Sequence, residues 1–152
     1  MKAKYFTTAV AFALLAIPGS FAAPVPPRDV VIVANDQMKF SITRIEAPPG
    51  QILHVTLKNE GTLPKEVMGH NWILLKGGKD SAAYVAAALT AAKDNYQPKA
   101  MADQVLASIP MLGAKHEGDV TFNAPDIPGT YVFLCSFPAH FQAGMRGVLI
   151  VK

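Results

Sequence analysis

Between Asp29 and Lys152 the apolar residues fall in short, β-branched or alternating runs separated by Gly, Pro and Asn/Asp turns, which is strand spacing rather than helix spacing. The run Asp29 to Asp36 ends in a turn signal, and the segment from Met38 to Ala47 follows with rough alternation. After the turn at Pro48-Pro49-Gly50, Leu53, Val55 and Leu57 share one face of a strand from Gln51 to Lys58. That leaves His54 on the wetter face with Thr56 and Lys58, as an ordinary surface histidine. A loop from Asn59 to Gly69 leads to a further strand from His70 to Leu75. Asp119 to Phe122, Thr130 to Cys135 and Gly147 to Lys152 complete the strand pattern, with a turn from Pro125 to Gly129.

One segment breaks that pattern. Asp80 to Ala92 is alanine-rich, with Asp80 or Ser81 able to cap its start, and predicts the one helix of the chain beyond residue 22. Its alanines suit close packing as a flap on a β framework. Gln97 to Gly118 reads as loop with short pieces of structure, and His116, between Lys115 and Glu117, as part of a solvated turn. Many short strands and one inserted helix predict an all-β fold, a Greek-key β-sandwich with an α-helical flap. No internal repeat or second domain is visible.

The first 22 residues have a different character. Lys2 and Lys4 precede an apolar run from Ala9 to Ile17, a Pro18-Gly19 break, and small residues at Ser20 and Ala22. This is the order of a secretory signal peptide with cleavage before Ala23, and its apolar core is well short of the roughly 20 residues of a membrane span. The expected organisation is a leader over residues 1–22 and a single domain over residues 23–152, periplasmic or otherwise extracytoplasmic, with no membrane span and monomeric. Hydrophobic residues make up 51% and charged residues 16% of the chain, a globular balance. Removing the two leader lysines takes the formal charge from +3 to about +1, and no Lys/Arg cluster suggests a nucleic-acid partner.

An exported chain with one cysteine raises a question about that thiol, since it has no partner for an internal disulfide. Cys135 is therefore buried and inert, paired between chains, or held by a metal. Taken alone, a cysteine ending an apolar strand is most often a small buried hydrophobe. The stretch Cys135-Ser-Phe-Pro-Ala-His140-Phe-Gln-Ala-Gly-Met145 adds a histidine and a methionine between two strands whose ends fix the loop. His70, at the start of another strand, is the fourth candidate. A thiolate and two imidazoles with a weak axial Met suit a blue-copper electron-transfer centre. Zinc gains little from a thioether, and an iron–sulfur cluster needs more cysteines. A nucleophilic Cys–His pair would need an orienting third group and a substrate cleft, for which the sequence offers nothing.

These motifs resemble the azurin branch of the cupredoxins, over nearly the whole of residues 23–152. Asn35-Asp-Gln-Met-Lys-Phe40 is similar to the azurin first-strand motif. Gly61 to Trp72 is similar to the loop that delivers the first copper histidine, and Cys135 to His140 to the ligand loop. The resemblance implies one type 1 copper held by His70, Cys135 and His140, with Met145 axial and the Gly69 carbonyl approaching weakly from the other side. It implies that Asn71 bridges to the ligand loop near Ser136, that loop N–H groups point at the Cys135 sulfur, and that Phe137 and Pro138 dry the site. Trp72 reads as core rather than relay.

The chain departs from azurins in three places. Four residues, Phe141 to Gly144, separate His140 from Met145, where azurins have three; auracyanins and rusticyanins share the longer spacing. Gln142 thereby becomes an outside axial candidate. Arg28 and Gly50 stand where azurins have a disulfide, and Asn59 replaces a histidine found in azurins eleven residues before the first ligand. The resemblance further implies an apolar patch around His140, for which Met38, Leu63, Met68, Pro138, Ala139 and Phe141 are the candidates. Such a patch suits transient contact with a cytochrome or with an oxidase or reductase. The expected function is an electron carrier that is not an enzyme; the competing reading is a copper carrier or store that delivers Cu(I).

Overall fold

The β-branched runs pair into two sheets in the computed structural model, which describes residues 26–152. The expected leader over residues 1–22 lies outside the described residues. Eight strands are present among them: β1 (Arg28–Ala34), β2 (Arg44–Ala47), β3 (Ile52–Asn59), β4 (His70–Leu75), β5 (Val105–Leu112), β6 (Glu117–Asn123), β7 (Gly129–Leu134) and β8 (Arg146–Val151). One sheet has the order β1-β3-β6 and the other β2-β8-β7-β4-β5. β1 runs parallel to β3, and β2 parallel to β8; the other pairings are antiparallel.

Alternation explains the smaller sheet. Leu53, Val55 and Leu57 of β3 are buried, while Ile52, His54, Thr56 and Lys58 on the other face are only half covered. β6 alternates between exposed and half-buried positions over its whole length, as expected for a sheet with one face in water. His54 is half-exposed, with Nδ1 2.8 Å from Thr121 Oγ1 on β6, and His116 lies exposed at a turn, both as read from the sequence.

The five-stranded sheet is covered on both sides. All six residues of β4 are buried. Trp72 and Leu74 point into the main core with Phe133 and Ile109, whereas Ile73 and Leu75 meet Leu134, Phe141 and the helical residues Tyr84 and Val85. The cover is the expected flap, α2 (Ser81–Ala88), shorter than the alanine-rich segment suggested. Asp80 caps it, its carboxylate accepting from the N–H groups of Ala82 at 2.9 Å and Ala83 at 3.1 Å, a contact worth about 1 kcal/mol. Among the described residues no helix is long and apolar enough to cross a membrane.

Three local readings are corrected. Met38 to Ala47 forms a strand only over Arg44–Ala47, preceded by a single bridge between Ala34 and Phe40. The loop Asn59 to Gly69 contains one short helical turn, α1 (Lys65–Met68). The segment Gln97 to Gly118, read as mostly loop, contains the eight-residue strand β5. β5 pairs with β4 through two register shifts, one of them opposite Asn71, and carries Pro110. A proline is tolerated there because β5 is the sheet edge; Ala107, Ile109 and Met111 alternate inward, but outward-facing Leu106 and Pro110 hide that alternation in the sequence.

Candidate metal centre

Strand register builds the site at one end of the larger sheet. β4 and β7 pair antiparallel with Ile73 opposite Leu134, so continuing the register sets Asn71 opposite Ser136. β7 and β8 pair with Leu134 opposite Arg146, which sets Cys135 opposite Met145. Hydrogen bonds bear out both continuations. Asn71 Nδ2 donates to Ser136 Oγ at 2.8 Å, Asn71 Oδ1 accepts from the Ser136 N–H at 2.8 Å, and the Cys135 N–H donates to the Met145 carbonyl at 3.1 Å. The ligand loop closes on itself through the Met145 N–H, which donates to the His140 carbonyl at 2.9 Å.

Three donor side chains converge there. One ligand atom each from His70, Cys135 and His140 lies within 4.8 Å of the others, and all three residues are buried. Cys135 Sγ is 3.4 Å from His140 Nδ1, and the two imidazole rings are 4.9 Å apart. Both ring nitrogens of His70 are buried without a hydrogen-bond partner, although the Asn35 backbone faces the ring. Leaving such atoms unpaired is costly. A metal ion is the partner that two imidazole nitrogens and one sulfur fit, and the chemistry of that donor set is copper's.

Burial sets the protonation of all three. It pushes the Cys135 thiol up to about 11, even though the N–H groups of Asn71 and Phe137 favour its thiolate. Burial, then the neighbouring His70, bring His140 down to about 4. His70 is lowered as well, by burial first, with the Asn35 backbone and the Asp36 charge opposing. Both imidazoles are therefore neutral at pH 7 and have lone pairs to offer, and a cation is what holds the thiol as thiolate.

Other expected residues fall into place around this cluster. Met145 is completely buried, whereas Gln142 is exposed. Gly69 is buried, and a Cβ there would lie 2.6 Å from the Lys65 carbonyl and 2.9 Å from Met111 Sδ. Phe137 covers His140, ring to ring at 4.7 Å, and Tyr96 at 5.2 Å. Trp72 is buried in the core. Asn59, in place of a histidine, is buried and joins two loops: its Nδ2 donates to the Leu112 carbonyl at 3.3 Å and its Oδ1 accepts from the Gly61 N–H at 2.9 Å.

Of the residues expected to form the patch around His140, one is not at the surface. Phe141 is only 7% exposed and packs in the second core cluster under α2, so it is core. Leu63 is 39% exposed, and Val67, three residues before His70 in the chain, is 59% exposed. Ala139 is exposed, and Met38, Met68 and Pro138 are half-buried. His140 itself is 2% exposed. Sequence reasoning also missed Tyr96, whose carbonyl accepts from Ser136 Oγ at 2.6 Å. Asn95 and Tyr96 both adopt positive φ, and only the Asn is a residue type that signals it.

Comparison with known proteins agrees with this geometry. The family model described as copper binding proteins, plastocyanin/azurin family, matches residues 28–152. The azurin of Bordetella pertussis is 38% identical, over 89% of this chain and 92% of its own. Auracyanin-B of Chloroflexus aurantiacus is also 38% identical over 80% of this chain, which spans 50% of that relative's length. Among solved structures, dithionite-reduced auracyanin from Roseiflexus castenholzii superposes with a TM-score of 0.73 at 34% identity, covering 82% of this chain and 96% of that one. The chain belongs to the copper-binding plastocyanin/azurin family, and His70, Cys135 and His140 are positioned to hold its single type 1 copper.

Proposed function

We propose that the protein is an extracytoplasmic one-electron carrier, cycling between Cu(II) and Cu(I) to pass electrons between redox proteins, and that it catalyses no reaction of its own. The observation that carries this reading is the buried, pre-assembled set of two imidazoles and one thiol. Bound copper supplies the one-electron couple. The chain's residues keep the ligand set the same in both oxidation states: strand register fixes Cys135, the Asn71–Ser136 pair locks its loop to β4, and Phe137 excludes water. N–H groups of Asn71 and Phe137 directed at the sulfur stabilise its negative charge. Met145 would be a further, weakly held ligand, a role supported by its burial and its register opposite Cys135. The Gly69 carbonyl would be a further weak contact to the copper; Gly69 is buried, with no room for a side chain between the Lys65 carbonyl and Met111.

Electrons pass through the edge of His140, within a patch of Leu63, Val67, Met68, Met38, Pro138 and Ala139. Apolar in its own side chains, such a patch suits brief encounters of a monomer with a cytochrome or with an oxidase or reductase. The leader-like pattern of residues 1–22 supports export. A carrier that hands over Cu(I) needs an open face on its metal; with His70 and Cys135 fully buried and His140 2% exposed, storage and delivery is the weaker reading.

Titration of the purified protein with Cu(II), followed by visible absorption and repeated on Cys135→Ser, tests the proposal. The expected result is an intense thiolate-to-copper band that saturates at one copper, bleaches reversibly with reductant and is missing in the variant. Copper binding without such a band would sink the electron-transfer reading.

A further inference from the structure

The turn between β1 and β2 touches both ligand-bearing segments, and it does so with two charged side chains three residues apart. On one side Asp36 Oδ2 accepts from the Thr62 N–H at 2.9 Å and from Thr62 Oγ1 at 2.8 Å, fastening the chain that leads to His70. On the other side Lys39 Nζ donates to the Ala143 carbonyl, across 104 residues of sequence. We propose that the turn Asn35 to Phe40 is a clasp for the metal site, and that Lys39 is the positioning residue that holds the loop preceding Met145.

The hydrogen bonds between Ala139 and Arg146 are internal to the loop, whose other holds are the burial of Phe141 and the Cys135–Met145 bond at its end. The Ala143 N–H donates to the Ala139 carbonyl, the Gly144 N–H to Phe141, the Met145 N–H to His140 and the Arg146 N–H to Gly144. Those bonds coil the segment onto itself. Among the described residues, the only tie from the Ala143 carbonyl to the rest of the fold is Lys39. Gly144 sits at φ +93°, and a Cβ there would be 3.0 Å from Lys39 Nζ; glycine thus serves the turn and leaves room for the ammonium.

The post that carries Lys39 is firm. Its neighbour Phe40 is buried, bridges back to Ala34 in β1, and packs tilted against Phe133 at 5.9 Å between ring centroids. Phe133 lies on β7, two residues before Cys135. Lys39 therefore ties the loop's far end to a turn that packs, through Phe40, on the strand leading into Cys135. A charge-assisted hydrogen bond from a rigid post onto the residue pair before Met145 restrains that methionine's approach to the metal. The ammonium also adds a positive charge beside the site, which favours the less charged Cu(I) form.

The effect on the metal rests on the copper reading; the effect on the loop does not, and Lys39→Gln tests them separately. In the metal-free protein, hydrogen exchange at the Gly144 and Met145 amides is expected to speed up about fivefold, the scale of one exposed charge-assisted bond. In the copper-loaded protein the reduction potential falls and the ratio of the two main visible bands changes. Lys39→Arg restores the potential and the exchange rates, and Lys152→Gln, a surface lysine paired with Glu46, changes neither. Unchanged exchange and an unchanged spectrum in Lys39→Gln would overturn the clasp. Loss of the visible band in the wild type would overturn the electron-carrier reading instead, while the exchange data would still decide on the clasp.

Discussion

Asn71 and Ser136 are joined twice, the Asn71 amide nitrogen donating to Ser136 Oγ and its oxygen accepting from the Ser136 N–H, both at 2.8 Å and both out of contact with water. One side chain thus continues the β4–β7 ladder past its last backbone pair. Cys135 lies next to that lock, and the Asn71 N–H itself faces the sulfur.

Replacing Asn71 by Ala leaves the Ser136 N–H and hydroxyl without this partner in a dry site. The expected loss of stability is about 2–3 kcal/mol, read as a lower urea midpoint of the metal-free protein with an unchanged slope. Ser136→Ala, which keeps the N–H bond to Asn71, is expected to lose about 1 kcal/mol. Equal midpoints for Asn71→Ala and wild type would show that the lock carries no stability.

Acid is expected to destabilise the metal-free protein. His140 titrates at about 4 in the fold and near 6.5 when unfolded. Between those values the unfolded chain binds a proton that the folded chain refuses, so stability rises with pH. The contribution from neutral His140 is complete above about pH 6.5 and is lost as pH falls towards 4; His70 acts in the same direction. Urea midpoints at pH 7.5 and pH 5 check this, and His140→Gln is expected to flatten the difference. A midpoint that is higher at pH 5 would contradict it.

The free thiol should be inert in the fold. With Cys135 buried and its pKa pushed up to about 11, almost none of it is thiolate at pH 8, and reagents have no access. A disulfide reagent is expected to label the metal-free protein slowly without denaturant and fully within minutes in urea. Because binding must expel the thiol proton, copper affinity is expected to rise by about tenfold per pH unit around pH 8. Fast labelling under native conditions would mean that the site opens readily.

Phe141 and Val67 separate packing from docking. Phe141→Ala removes a ring packed among Ile73, Leu75, Tyr84 and Leu134, with an expected cost of about 3 kcal/mol. Val67→Ser alters an exposed side chain, with stability within about 0.5 kcal/mol of the wild type and slower electron self-exchange in the copper protein. Unchanged self-exchange would remove Val67 from the contact surface.

The residues with metal chemistry were legible along the chain because their spacing is local: Cys135, His140 and Met145 sit in one loop between two strands, and His70 opens a strand that alternation marks. The strands β3, β4, β7 and β8 were legible for the same reason, since a half-buried or fully apolar run records its own burial. β5 was not, because outward-facing Leu106 and Pro110 hide its alternation; Pro110 is permitted by the strand's place at the sheet edge, and edges exist only once strands have paired.

Other features depend on which distant surfaces meet. Phe141 lies in the ligand loop, and its turn inward follows from α2 packing over β4, not from any pattern around it. Nothing in the sequence singles out Lys39; only the fold sets it beside the Ala143 carbonyl. The donor set and its order came from the sequence alone, since side-chain type decides what a metal accepts. The convergence of His70, Cys135 and His140 within 4.8 Å, the dryness of the site and its restraint came from the tertiary structure, because burial and register are properties of pairs of strands far apart in the chain.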